Sequence, residues 1–178
     1  YIVPDFHPLC DGAAIEALRL IGKYLVTSVE EPENLEARGG MLVGSCLAGI
    51  SFLKGLGFVH AISHMVGAEY DTQHGLTNAI VLPVVLRYNL PSLDEKRNNM
   101  ADALGMSDKT SDGFIGEIEA KLDRLNIPKS LGEIGVPFEC ASRISEKAML
   151  DSAASTNPVR GDVALVKELV EKAIKIAR

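Results

Sequence analysis

The apolar positions of this chain recur at helical spacing. Ala14, Ile15, Leu18, Ile21 and Leu25 repeat in steps of three and four, the mark of a helix with one apolar face. Asp11 is the expected N-cap and His7, between Pro4 and Pro8, reads as an exposed loop histidine. After the acidic connection Glu30–Asn34, a second helix is expected from Leu35 to Lys54. It is apolar on nearly every side, which is the pattern of the central helix of a bundle. Its small residues, among them Gly39, Gly40 and Gly44, permit a neighbouring backbone to come close. Gly55 and Gly57 end it.

From Phe58 to Tyr70 no residue breaks a helix, and Asp71-Thr72-Gln73 is a turn-like run. Leu76 to Leu90 is apolar again, with Pro83 expected to kink or restart the helix. Ser92-Leu93-Asp94-Glu95 resembles a capping box ahead of Met100, Ala103 and Leu104. Phe114, Ile115, Ile118, Leu122 and Leu125 form another stripe, Phe138 to Ser152 reads as helical, and Thr156-Asn157-Pro158 as a turn. Asp162 is placed to cap a last helix whose buried face carries Leu165, Leu169 and Ala173. No repeat, low-complexity segment or period-two strand pattern interrupts this series. The fold class is all-α, a multi-helix bundle of about eight helices in a single domain over residues 1–178.

Composition narrows the partners. The formal net charge is −6 and the 18 Lys and Arg are scattered without a basic run, so neither nucleic acid nor an anionic membrane surface is an expected partner. Cys10, Cys46 and Cys140 are odd in number and far apart with no C-x-x-C, the usage of reduced thiols in a cytoplasmic protein. The longest apolar run, Met41 to Leu53, is too short to span a bilayer, and no signal peptide is visible.

The chemistry concentrates between Gly55 and Ala79, which hold three of the four histidines. His60 and His64 stand at i and i+4, one above the other on a single helix face. His74, at the next corner, can converge with them on one point. Neutral imidazole is the commonest protein ligand for a borderline divalent metal. A lone H-x-x-x-H is often two core or surface histidines, and the third imidazole is what favours a metal site. A zincin protease would carry Glu directly after the first His, where this chain has Ala61. Asn78 could orient His74 as a supporting partner, or simply cap a helix.

The run G-F-V-H-A-I-S-H-M-V-G-A-E-Y-D-T-Q-H-G-L-T-N-A-I-V-L-P, residues 57–83, resembles the signature of the iron-containing (group III) alcohol dehydrogenases, with Met65 where proline is usual. The resemblance extends to the G-V element at Gly135-Val136 and the N-P turn at Asn157-Pro158. It implies the C-terminal helical domain of the dehydroquinate synthase-like fold. His60 and His74 would then be ligands of Fe²⁺ or Zn²⁺, and His64 a catalytic residue beside the nicotinamide and substrate. The implied reaction is hydride transfer between an alcohol or aldehyde and NAD or NADP, in a homo-oligomer.

No strand–turn–helix with a glycine-rich phosphate loop occurs here. Family members carry a separate N-terminal α/β domain for the nicotinamide, and Tyr1 resembles the last residue of the D-A-x-x-H-A-x-E-A-Y motif that supplies the other two ligands. The expectation is therefore a fragment holding half a metal site and inactive by itself. Alternatives are a maleylacetate reductase or Zn-dependent glycerol dehydrogenase relative, and a non-catalytic helical domain kept for metal binding or oligomer contacts.

Overall fold

The computed structural model describes residues 1–175, and among them the regular structure is helical throughout. The elements are α1 (Pro8–Glu30), α2 (Leu35–Ser51), α3 (Phe58–Tyr70), α4 (His74–Asn89), α5 (Asp94–Leu104), α6 (Ser111–Arg124), α7 (Ala141–Leu150), the single turn α8 (Ser152–Ser155) and α9 (Val163–Lys175). They gather into two compact units. The first comprises residues 1–55 and 93–125, the second residues 56–92 and 126–178.

In the first unit α1 and α2 form an antiparallel hairpin. Tyr24 at the closed end donates its hydroxyl to Glu36, and Cys10 at the open end donates its thiol to the Ile50 carbonyl. Gly44 lies against α1 so closely that a Cβ there would stand 3.0 Å from Ile21 Cγ1 and 3.3 Å from Leu20 Cβ. Gly44 and Gly40, where a Cβ would strike the Tyr24 ring, thus serve close approach as the pattern suggests, whereas a Cβ on Gly39 would meet nothing within 4 Å among the described residues. The central position expected for α2 is not what forms. Only Ala37 and Gly44 are buried in it, while Leu35 is 81% exposed, Leu42 74% and Leu53, just beyond it, 76%. One face of α2 packs on α1 and the rest of its apolar surface is outward; all-round hydrophobicity cannot say which side finds a partner.

Helix starts also differ from expectation in this unit. His7, not Asp11, caps α1, its Nδ1 accepting from the Cys10 N–H. Pro8 at the first helical position has no N–H to satisfy and its fixed φ suits a helix start, which moves the boundary back. Asp11, inside the first turn, instead pairs with the buried ammonium of Lys54 at 2.5 Å. The capping box fails as well. Ser92 ends a 3₁₀ turn, Leu93 occupies the N-cap of α5, and no side chain closes it.

The second unit holds the large core. Phe58, Ile62 and Val66 of α3, Ile80, Val81 and Val85 of α4, Ile144 and Ala148 of α7, and Val166, Val170 and Ala173 of α9 pack together with Leu131 and Val136. Each large side chain withdrawn from water in this way contributes about 1.5–3 kcal/mol before chain entropy is set against it. Helix α4 runs through Pro83 without a break. The cap expected at Asp162 forms, with Oδ1 accepting from the Leu165 N–H at 2.9 Å.

Candidate functional site

Helix α3 carries Ala61, Ile62 and Val66 into the core, which turns His60 and His64 toward a neighbouring, less buried face. The helix stops at Asp71, whose φ of 51° is left-handed, a conformation aspartate tolerates better than most residues. The chain then reverses, and Gln73 caps α4 by accepting from the Leu76 N–H. His74 is therefore the first residue of α4 and faces back toward α3. The three rings form a near-equilateral triangle. Centroid separations are 5.8 Å for His60–His64, 5.4 Å for His60–His74 and 5.5 Å for His64–His74.

Asn78, one turn along α4 from His74, sits between two of these rings. Its Nδ2 is 3.0 Å from His74 Nε2 and 3.4 Å from His60 Nε2. An amide nitrogen only donates, so both Nε2 atoms accept and both imidazoles carry their proton on Nδ1. Two imidazole lone pairs are thus turned to a common point. Burial, and then the neighbouring rings of His74 and His64, push His60 down to about 4 against the opposing pull of Asp151. His60 is neutral near pH 7, the form in which imidazole binds a cation.

Sequence reasoning did not find the fourth member of the cluster. Asp151, 87 residues beyond His64 in the chain, places Oδ2 3.0 Å from His64 Nδ1. Its other oxygen, Oδ1, accepts from the Ala153 N–H at 2.8 Å and caps α8. Burial alone would raise this carboxyl; the Ala153 N–H and His64 outweigh it and hold the group below its ordinary value. The only local sign of Asp151 is its fitness as a helix cap, which says nothing of an imidazole across the unit. The same segment fixes the start of α3: Thr156 Oγ1 accepts from Leu56 N–H and Asn157 Oδ1 from Phe58 N–H, both at 3.1 Å.

Among the described residues, no group of three or more His, Cys, Asp or Glu is arranged to hold a metal unaided. His64 is turned to Asp151, which leaves His60 and His74 as the pair whose nitrogens share a focus. That donor set fits a borderline divalent ion as two of its ligands.

The chain matches the family described as Fe-containing alcohol dehydrogenase family, C-terminal, over residues 1–174, and it belongs to that family. Its relatives include 1,3-propanediol dehydrogenase from Citrobacter freundii, 36% identical over 97% of this chain and 46% of the relative. NAD-dependent methanol dehydrogenase from Bacillus methanolicus is 32% identical over 98% and 48%. Among solved structures, 1,3-propanediol oxidoreductase superposes with a TM-score of 0.93 at 34% identity, over 98% of this chain and 47% of that one. An alcohol dehydrogenase from Oenococcus oeni superposes with a TM-score of 0.91 at 30% identity, over 97% and 47%. The chain spans about half the length of these relatives. No single helix among the described residues is long and apolar enough to cross a membrane.

Proposed function

We propose that this chain is the metal-holding helical half of a nicotinamide-using alcohol dehydrogenase acting on a small alcohol or its aldehyde. His60 and His74 would supply two imidazole ligands to Fe²⁺ or Zn²⁺. A bound cation would act as a Lewis acid, lowering the pKa of the alcohol oxygen. The support is one observation: His60 Nε2 and His74 Nε2 both face the Asn78 amide nitrogen, with the His64 ring within 5.8 Å of each of the other two.

The residues of the chain divide the work. His60, neutral at physiological pH, needs to lose no proton before it binds. His64, held at Nδ1 by Asp151, presents Nε2 as an acceptor beside the pair and is the group to take or relay the proton. The nicotinamide would be held mainly by the separate α/β domain that the family resemblance implies, and the hydride chemistry belongs to the cofactor. Methanol and 1,3-propanediol, named for the relatives, make a short primary alcohol the substrate class to test first.

Metal analysis of the purified full-length protein tests this. His60→Ala and His74→Ala should each lose the metal. His64→Ala should keep it while turnover falls about 10²–10⁴-fold, the usual worth of a positioned acid or base. Full metal content in both His60→Ala and His74→Ala, or metal loss in His64→Ala, would reassign the ligands.

A further inference from the structure

We propose that Asp151 is a positioning residue that decides which nitrogen of His64 carries the proton. The inference rests on the reading of His64 as the proton-handling group, and it deepens that reading. The carboxylate is well enclosed, its side chain 15% exposed against 35% for His64. Its two oxygens have separate tasks: Oδ1 accepts from the Ala153 N–H at 2.8 Å, and Oδ2 lies 3.0 Å from His64 Nδ1. An ionised carboxylate only accepts, so Nδ1 must donate, and in the neutral ring Nε2 then carries the lone pair. A helix cap alone would need one oxygen. The second is committed to a ring that the chain brings from 87 residues away.

This division makes the two roles separable in one substitution. In Asp151→Asn the amide oxygen must stay at Ala153, since an amide nitrogen there would set donor against donor. The amide nitrogen then takes the position of Oδ2 and donates to His64 Nδ1. That nitrogen can accept only without its proton, so the imidazole carries hydrogen on Nε2 instead. The cap and the hydrogen bond to the ring both survive, and only the tautomer is reversed. Nε2 then no longer accepts a proton from the substrate side, the fault expected when a histidine's anchoring carboxylate becomes an amide.

The test is histidine side-chain ¹⁵N NMR on the full-length protein loaded with diamagnetic Zn²⁺, the His64 signal being the one lost in His64→Gln. The wild type should show His64 protonated on Nδ1 and Asp151→Asn on Nε2. In Asp151→Asn kcat should fall about 10²- to 10⁴-fold, the loss expected when a positioned base is held in the wrong tautomer, with KM for the alcohol changed less and metal content and Tm retained. Asp151→Ala should lose both the fixed tautomer and the cap, with a lower Tm. Wild-type His64 protonated on Nε2 overturns the proposal whether or not any variant folds. So does a reversed tautomer in Asp151→Asn with kcat unchanged. The tautomer is read without turnover, and it stands or falls separately from the metal assignment, which only the His60 and His74 variants decide.

Discussion

Asn78 and His74 are joined by a 3.0 Å contact between amide nitrogen and Nε2, and the same amide nitrogen reaches His60 Nε2 at 3.4 Å. The other end of that amide is less well served, since Asn78 Oδ1 is buried without a hydrogen-bond partner among the described residues. Removing the side chain gives up two hydrogen bonds worth about 1 kcal/mol each and relieves a stranded acceptor that costs about 1–3 kcal/mol. Asn78→Ala should therefore change the stability of the metal-free protein by less than about 1 kcal/mol in denaturant unfolding. A loss well beyond this would mean that the oxygen is satisfied in solution.

His60 predicts an acid limb. Its pKa lies at about 4 in the folded chain, against an ordinary 6.5, because burial and the neighbouring imidazoles disfavour the charged ring. Between those two values the unfolded chain binds a proton that the folded chain does not, so stability falls as pH is lowered. The metal-free protein should melt at progressively lower temperature from about pH 6.5 to about pH 4. His60→Gln should flatten that limb in thermal scans, and an unchanged slope would place the titrating group elsewhere.

Asn157 predicts a large effect from a small change. It is buried, and its Oδ1 accepts from Phe58 N–H and from Asn89 Nδ2, both at 3.1 Å. Its Nδ2 donates to Asn89 Oδ1 at 2.9 Å and to the Val159 carbonyl at 2.6 Å. Asn157→Ala leaves the first N–H of α3 and both polar atoms of Asn89 stranded, a loss of about 3 kcal/mol or more. Chemical denaturation measures it directly; a cost under about 1 kcal/mol would mean that water replaces these bonds.

Adjacent glycines in α2 should respond with opposite sign. Among the described residues a Cβ on Gly39 would meet nothing within 4 Å, whereas one on Gly40 would strike the ring of Tyr24, whose hydroxyl is tied to Glu36. Gly39→Ala should stabilise by about 0.5–1 kcal/mol through helix propensity. Gly40→Ala should destabilise by about 1–3 kcal/mol, as overpacking does. Thermal unfolding of the two variants side by side checks the hairpin geometry.

The convergence of His60, His64 and His74 was legible because it is local. An i, i+4 pair and a corner a few residues on leave little freedom in where three rings can go, and Asn78 follows one turn later. The reach of α3 from Phe58 to Tyr70 and the cap at Asp162 were legible for the same reason. Asp151 was not, since nothing near it in the chain reports what it meets across the unit. Nor was the outward face of α2, because hydrophobicity records a need for cover without naming what provides it. His7 escaped because aspartate outranks histidine as a cap, and Pro8 was the better boundary signal.

The run from Asp151 to Asn157 grips one neighbour at three heights, the ring of His64 and the backbone N–H groups of Leu56 and Phe58. This stretch should be unforgiving of insertion or deletion, because a slip of one residue would disturb the histidine face and its footing together. Tolerance to sequence drift should lie instead at outward positions of α3 and α7 such as Ala68 and Ser142. Substitutions there should leave the unit's stability nearly unchanged, unlike changes in the short segment that keeps the imidazoles in register.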